Sequence, residues 1–136
     1  MTDLLRPFAA AALTLVASIL PVAAAPAADA ARGEALYKRC VACHSIERNR
    51  TGPKHACLIG RPAGSVEGYA YSKALAAFGL VWDEATLDRF LAAPREAVPG
   101  TKMTYAGVKD AAERADMIAY LKTFSGAEAG CPAPVQ

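Results

Sequence analysis

Residues 40–44 read Cys40-Val41-Ala42-Cys43-His44, and no other segment constrains the chain as tightly. C-x-x-C-H is the attachment signature of a c-type haem. Two thiols three positions apart on one helical turn can reach both vinyl groups of a single porphyrin and form thioethers. The histidine that follows then lies under the ring and ligates iron. Other uses of paired cysteines need companions that this chain lacks. A redox dithiol belongs beside a βαβ pattern, and a zinc site needs a second ligand pair. The only histidines are His44 and His55, and the remaining cysteines, Cys57 and Cys131, are far apart. The motif therefore implies one covalent haem c.

The N-terminus indicates where attachment happens. Arg6 gives a short positive region, an apolar run extends from Phe8 to Leu20, and Pro21 breaks it. Val22-Ala23-Ala24-Ala25-Pro26 offers small residues at the −3 and −1 positions of a cut after Ala24 or Ala25. This is the pattern of a secretory signal peptide over residues 1–25. The apolar run is shorter than the roughly 18–20 residues that span hydrocarbon, so cleavage is expected in place of a membrane anchor. The destination is an oxidising compartment, the bacterial periplasm or its equivalent.

Removing residues 1–25 from the 136-residue chain leaves 111, enough for one domain with one core. That domain is expected over 26–126, followed by a C-terminal tail over 127–136. Without Asp3 and Arg6 the chain keeps 14 basic and 12 acidic side chains, a net +2 that haem propionates bring near zero. Charge thus gives no argument for nucleic acid or a membrane surface as partner, and steering must come from local clusters. Alanine and the leader inflate the 54% hydrophobic fraction, so it does not indicate stable membrane insertion.

The mature chain reads as helices and loops. Asp29 is a candidate N-cap for a first helix running to about Ala42. On it Gly33, Tyr37 and Cys40 share a face, and Gly33 permits close approach of another helix. Residues 45–68 carry Gly52, Pro53, Gly60, Pro62, Gly64 and Gly68 and read as a long loop. Wrapping a cofactor is a reason for such a loop in a compact domain. A short helix is expected over Tyr71–Phe78. A second, capped by Asp83, is expected over Glu84–Ala93 and stopped by Pro94. Asp110 with Glu113 resembles a capping box for a last helix to about Phe124, striped by Met117, Leu121 and Phe124. No strand pattern of useful length and no internal repeat is present, so the fold class is all-α with four to five helices.

An iron held by His44 has a sixth position, for which Met103, Met117 and His55 are the candidates. Met117 lies on the apolar stripe of the last helix, where packing explains it. Met103 follows the Pro99-Gly100 turn, 59 residues after His44, with enough chain between them to wrap the haem. A His44/Met103 pair raises the reduction potential, because soft sulfur favours ferrous iron, and a saturated iron does not readily take oxygen or peroxide. That suits a one-electron carrier and not an enzyme. The competing expectation is a haem enzyme or sensor with an open or labile sixth site and peroxidase-like chemistry.

Taken together, the residues resemble the class I cytochromes c, the soluble mitochondrial and bacterial type. The resemblance covers about residues 29–124. It rests on Gly33 through His44, Thr51-Gly52-Pro53, Gly60-Arg61, Gly64, Gly68 through Ser72, Trp82, Pro94, the Pro99–Met103 turn and Arg114 through Leu121. It implies an all-α fold whose first and last helices cross at close range. It also implies that the Pro53 carbonyl accepts from the other ring nitrogen of His44, and that Arg61, Tyr71, Trp82 and Thr101 reach the haem propionates. A buried carboxylate needs such donors and a positive charge. The function implied is a monomeric electron shuttle of the periplasm, docking to a reductase and then to an oxidase or dehydrogenase. Lys38, Arg39, Arg48 and Lys102 are candidates for the docking surface.

Three departures from the family pattern stand out. Phe90 occupies the place of a tyrosine beside the axial methionine, which removes a hydroxyl and is expected to modify the potential. His55 replaces an apolar residue and should lie on the His44 side of the haem. Cys57 stands at or near a usual glycine, and with Cys131 it is left over after the haem takes Cys40 and Cys43. Two leftover cysteines in a secreted chain suggest a disulfide tying the tail to the haem-wrapping loop.

Overall fold

The computed structural model describes residues 27–133; the expected leader over 1–25 lies outside them. Asp29 caps α1 (Ala30–Tyr37) by accepting from the Ala31 and Arg32 N–H groups at 2.8 and 3.2 Å. These are two of the donors a helix start leaves open. The helix ends well before Ala42. Beyond Lys38 the backbone tightens to three-residue closures, with Arg39 N–H donating to Leu36, Cys40 to Tyr37 and Cys43 to Cys40. The haem motif therefore rides on a tightened continuation of α1 and not on its regular turns.

The next elements are short. α2 (Lys73–Ala76) is capped by the Ser72 hydroxyl, so it starts two residues later than expected. α3 (Glu84–Ala92) is capped by Asp83, whose carboxylate accepts from Thr86 N–H at 2.6 Å. Pro94 ends α3 and also opens α4 (Pro94–Ala97), a helix not expected from sequence. A proline at the first helical position has no N–H to lose there, so one residue serves as both stop and start. α5 (Ala111–Lys122) is capped by Asp110, which accepts from Glu113 N–H at 2.9 Å. It closes at Thr123, a residue short of Phe124. The return half of the capping box is not made. Glu113 instead accepts from the two terminal guanidinium nitrogens of Arg39, at 2.6 and 3.1 Å, linking α5 to the haem-motif turn.

Among the described residues there is no strand, only an isolated bridge between Pro62 and Val81. α1 packs across α5, and α5 packs on α3. The first crossing depends on Gly33. A Cβ there would overlap the Asp116 carbonyl oxygen and fall 2.8 Å from Tyr120 Cβ. Asp116, buried at this crossing, accepts from Asp29 N–H at 2.6 Å and from Arg32 Nε at 2.8 Å. Tyr37, Leu87, Phe90, Leu91, Ile118 and Leu121 form the helical part of the core, and Leu58 and Trp82 enter it from the loops. Cys57 and Cys131 are joined by a disulfide, with Cα atoms 5.4 Å apart. Cys57 is the one non-glycine residue at positive φ among the described residues, at 56°.

Candidate functional site

The turn after α1 brings three groups of the motif together. His44 N–H donates to the Cys40 carbonyl at 2.9 Å, so the histidine directly follows one closed turn of backbone. Neither Cys40, half-buried, nor Cys43, exposed, takes part in the disulfide. The His44 Nδ1–H donates to the Pro53 carbonyl at 2.8 Å, which leaves Nε2 as the free ring nitrogen. Burial lowers the pKa of His44, outweighing the bond to Pro53, and keeps the imidazole neutral. Neutral imidazole is the form that binds a metal.

The loop over 45–68 is shaped around that ring. Gly52 N–H donates to Cys43 O at 2.7 Å, and a Cβ on Gly52 would lie 2.6 Å from both ring nitrogens of His44. Only a residue without a side chain fits there. Gly52 reads from sequence as a turn residue, so this closer role is not visible in it. Tyr69 pins the same loop by donating to Thr51 O at 2.6 Å. His55 lies on the His44 side, its ring stacked on that of His44 and its Nδ1 paired with the Tyr37 hydroxyl at 3.0 Å. Burial first, then the electrostatic influence of the adjacent His44 ring and of Arg61, holds His55 well below the usual histidine range.

Arg61 and Trp82, 21 positions apart, meet through paired backbones. Trp82 N–H donates to Arg61 O, and Gly60 N–H to Trp82 O, each at 2.9 Å. The Arg61 guanidinium spends two nitrogens on the Ala56 and Lys54 carbonyls. Its Nε is buried and finds no acceptor among the described residues. Tyr71 is half-buried, and burial raises its pKa, keeping the hydroxyl protonated. The Thr101 hydroxyl oxygen accepts from Met103 N–H at 3.2 Å. Met103 is half-buried against the core cluster that contains Trp82 and Phe90, whereas Met117 is only 1% exposed within α5. Phe90 tilts against Trp82 with centroids 5.0 Å apart. Of the basic residues flanking the haem motif and the Met103 turn, Lys38 and Arg48 are exposed, Arg39 is paired with Glu113, and Lys102 donates to Ala70 O.

The cytochrome c family model matches residues 30–125, the span that carries the haem motif, the loop around His44 and the Met103 turn. The chain belongs to the cytochrome c family. It is 44% identical over 114 residues to cytochrome c2 of Blastochloris viridis, covering 82% of this chain and 87% of that one. It is 46% identical over 104 residues to cytochrome c of Chlamydomonas reinhardtii, covering 74% and 93%. The solved structure of cytochrome cH from Methylobacterium extorquens superposes with a TM-score of 0.69 at 48% identity, covering 70% of this chain and 98% of that one. As a cytochrome c it carries one covalently bound c-type haem and works as an electron carrier.

The residues present fit that group. A neutral imidazole with one nitrogen already anchored, and two thiols three positions apart, are the donor set that attachment requires. The buried Arg61 Nε–H is a cationic donor with no acceptor among the described residues, which a carboxylate would supply. Among the described residues no helix is long and apolar enough to cross a membrane.

Proposed function

We propose that this cytochrome is a periplasmic, monomeric one-electron shuttle whose haem iron is held by His44 on one face and Met103 on the other. The observation that carries the reading is the clamped turn at Met103. Thr101 N–H donates to Val98 O at 3.0 Å, and Thr101 Oγ1 then accepts from Met103 N–H. The thioether thus projects from a fixed backbone while remaining only half-buried. Met117, locked inside the helical core, has no comparable freedom.

When bound, the haem supplies a reversible Fe(II)/Fe(III) couple, which a His/Met pair poises at high potential. The chain's own residues do the rest. Cys40 and Cys43 tether the group. Pro53 fixes the His44 tautomer and raises its basicity. Arg61 offers its Nε to a propionate, with Trp82 brought beside it by the backbone pairing. The Tyr71 and Thr101 hydroxyls are further donors to the same groups. The leader over 1–25 routes the chain to the periplasm, and the Cys57–Cys131 bond suits an oxidising compartment. The redox partners are proteins, a reductase and an oxidase or dehydrogenase, met at a surface that includes Lys38 and Arg48.

Met103→Ala tests the reading. The variant should lose the near-infrared sulfur-to-iron band, fall in potential and gain reactivity toward added ligands or peroxide. Met117→Ala should keep the spectrum and lose about 2–5 kcal/mol of stability. A Met103→Ala protein with the parent spectrum and potential, beside a His55→Ala protein that loses them, would overturn the ligand assignment. Intact mass of the periplasmic protein should show one haem on a chain starting at Ala25 or Pro26; a full-length membrane-extracted species would overturn the cleaved leader.

A further inference from the structure

His55 has no part in the scheme above, yet it is built against the residue that matters most. Its ring lies nearly parallel to that of His44, with centroids 4.2 Å apart and planes inclined by 23°. The backbone sets this up. His55 N–H donates to Ser45 O at 3.0 Å, and Ala56 N–H to Ile46 O at 2.7 Å, so the segment after His44 and the segment carrying His55 run side by side.

The His55 plane is itself fixed from a third direction. Its Nδ1 pairs with the Tyr37 hydroxyl at 3.0 Å, and the two rings meet edge-on at 63°. Tyr37 is buried on α1 and packs against Tyr120 of α5, with centroids 5.3 Å apart. A line of contact thus runs from the α1/α5 crossing through Tyr37 and His55 to His44.

The bond from His44 Nδ1 to Pro53 O sets where the ring points but not how it twists. Hydrogen bonds to a carbonyl tolerate a broad range of approach about the acceptor, so the imidazole could swivel about that axis. A flat partner stacked at van der Waals distance restricts the swivel. An aliphatic side chain would fill the same space without defining a plane. Gly52, whose backbone touches the His44 ring, closes another side.

We propose that His55 is a positioning residue: a plate locked by the Tyr37 hydroxyl that sets the plane of the His44 imidazole relative to the haem. This rests on His44 being the axial ligand. The plane of an axial imidazole governs how unpaired spin spreads over a ferric porphyrin, so the effect is read in the paramagnetically shifted proton resonances of the haem methyls and in the ring nitrogens of His44.

The test uses the ferric holoprotein with 15N-labelled histidine. His55→Leu, which keeps bulk and removes the plane, should redistribute the haem-methyl shifts and move the His44 ring signals while the sulfur-to-iron band persists. Tyr37→Phe, which keeps the ring and removes the hydroxyl, should move them in the same sense by less. His55→Phe, which restores a flat ring, should return them toward the parent. If His55→Leu leaves the shifts of the parent unchanged, the proposal is overturned. Should His55→Leu fail to fold by circular dichroism, Tyr37→Phe decides alone, and unchanged shifts there overturn it. A parent whose His44 ring shows no paramagnetic shift would instead refute the axial assignment, and this inference with it.

Discussion

Removing the bond between Cys57 and Cys131 should destabilise the protein, and the residue chosen at position 57 should decide how far. The bond closes a stretch of 74 residues. For a loop of that length the constraint on the unfolded chain is worth about 4.4 kcal/mol, a ceiling for the loss. Two contacts hold the same loop to the end of α5 without sulfur: Cys57 N–H donates to Phe124 O at 2.8 Å, and Ile59 N–H to Ser125 Oγ at 3.1 Å. Cutting the bond therefore releases only the tail beyond them, and the freedom the folded tail gains brings the expected loss to about 2–3 kcal/mol. Cys57 also sits at φ 56°, where a residue with a Cβ costs about 1–2 kcal/mol. With the sulfur gone, nothing requires a side chain there. Cys57→Gly with Cys131→Ala should therefore be more stable than Cys57→Ala with Cys131→Ala by about 1 kcal/mol, against the usual penalty for glycine. Urea unfolding of the ferric holoprotein, followed by circular dichroism with m-values compared, measures both differences. A double alanine variant as stable as the parent would refute the tether. A glycine variant no more stable than the alanine one would refute the backbone argument.

Gly33→Ala should separate α1 from α5, because the new Cβ overlaps the backbone of Asp116 and approaches Tyr120 Cβ. We expect a loss of at least about 1–3 kcal/mol in thermal unfolding with haem retained, and a melting temperature equal to the parent's would contradict it. Asp116→Asn should change the acid limb of stability. The hydrogen bond from Arg32, followed by that from Asp29 N–H, holds the Asp116 carboxyl below the ordinary aspartate range. The unfolded chain therefore takes up the proton first, near the ordinary value of about 3.9. The contribution is complete above that value and disappears as pH falls through the lower native one. Stability measured against pH should fall less steeply in the asparagine variant below about pH 4; parallel acid limbs for the two proteins would show that Asp116 does not contribute this way.

Much of the architecture is legible in short stretches of sequence, because the forces behind it act over a few residues. Asp29, Asp83 and Asp110 cap the helices that follow them, since each carboxylate finds an N–H two or three positions ahead. The C-x-x-C-H spacing names the cofactor because both thiols must meet one porphyrin, and the two leftover cysteines suggest a partner for each other. Other features depend on residues that only the folded chain brings together. Glu113 looks back to its own cap in sequence, yet Arg39 arrives from 74 positions away and takes the carboxylate. Pro94 reads as a stop, yet in the folded chain it also opens α4, since proline at a first helical position loses no hydrogen bond. A loop histidine carries no sign that it will stack on His44, because that contact requires the Ser45 and Ile46 carbonyls to align the two segments and Tyr37 to reach in from α1. Capping and motif spacing are local demands that a chain satisfies wherever it folds; which distant side chain takes a buried partner is settled by the close approach of α1, α5 and the loop between them.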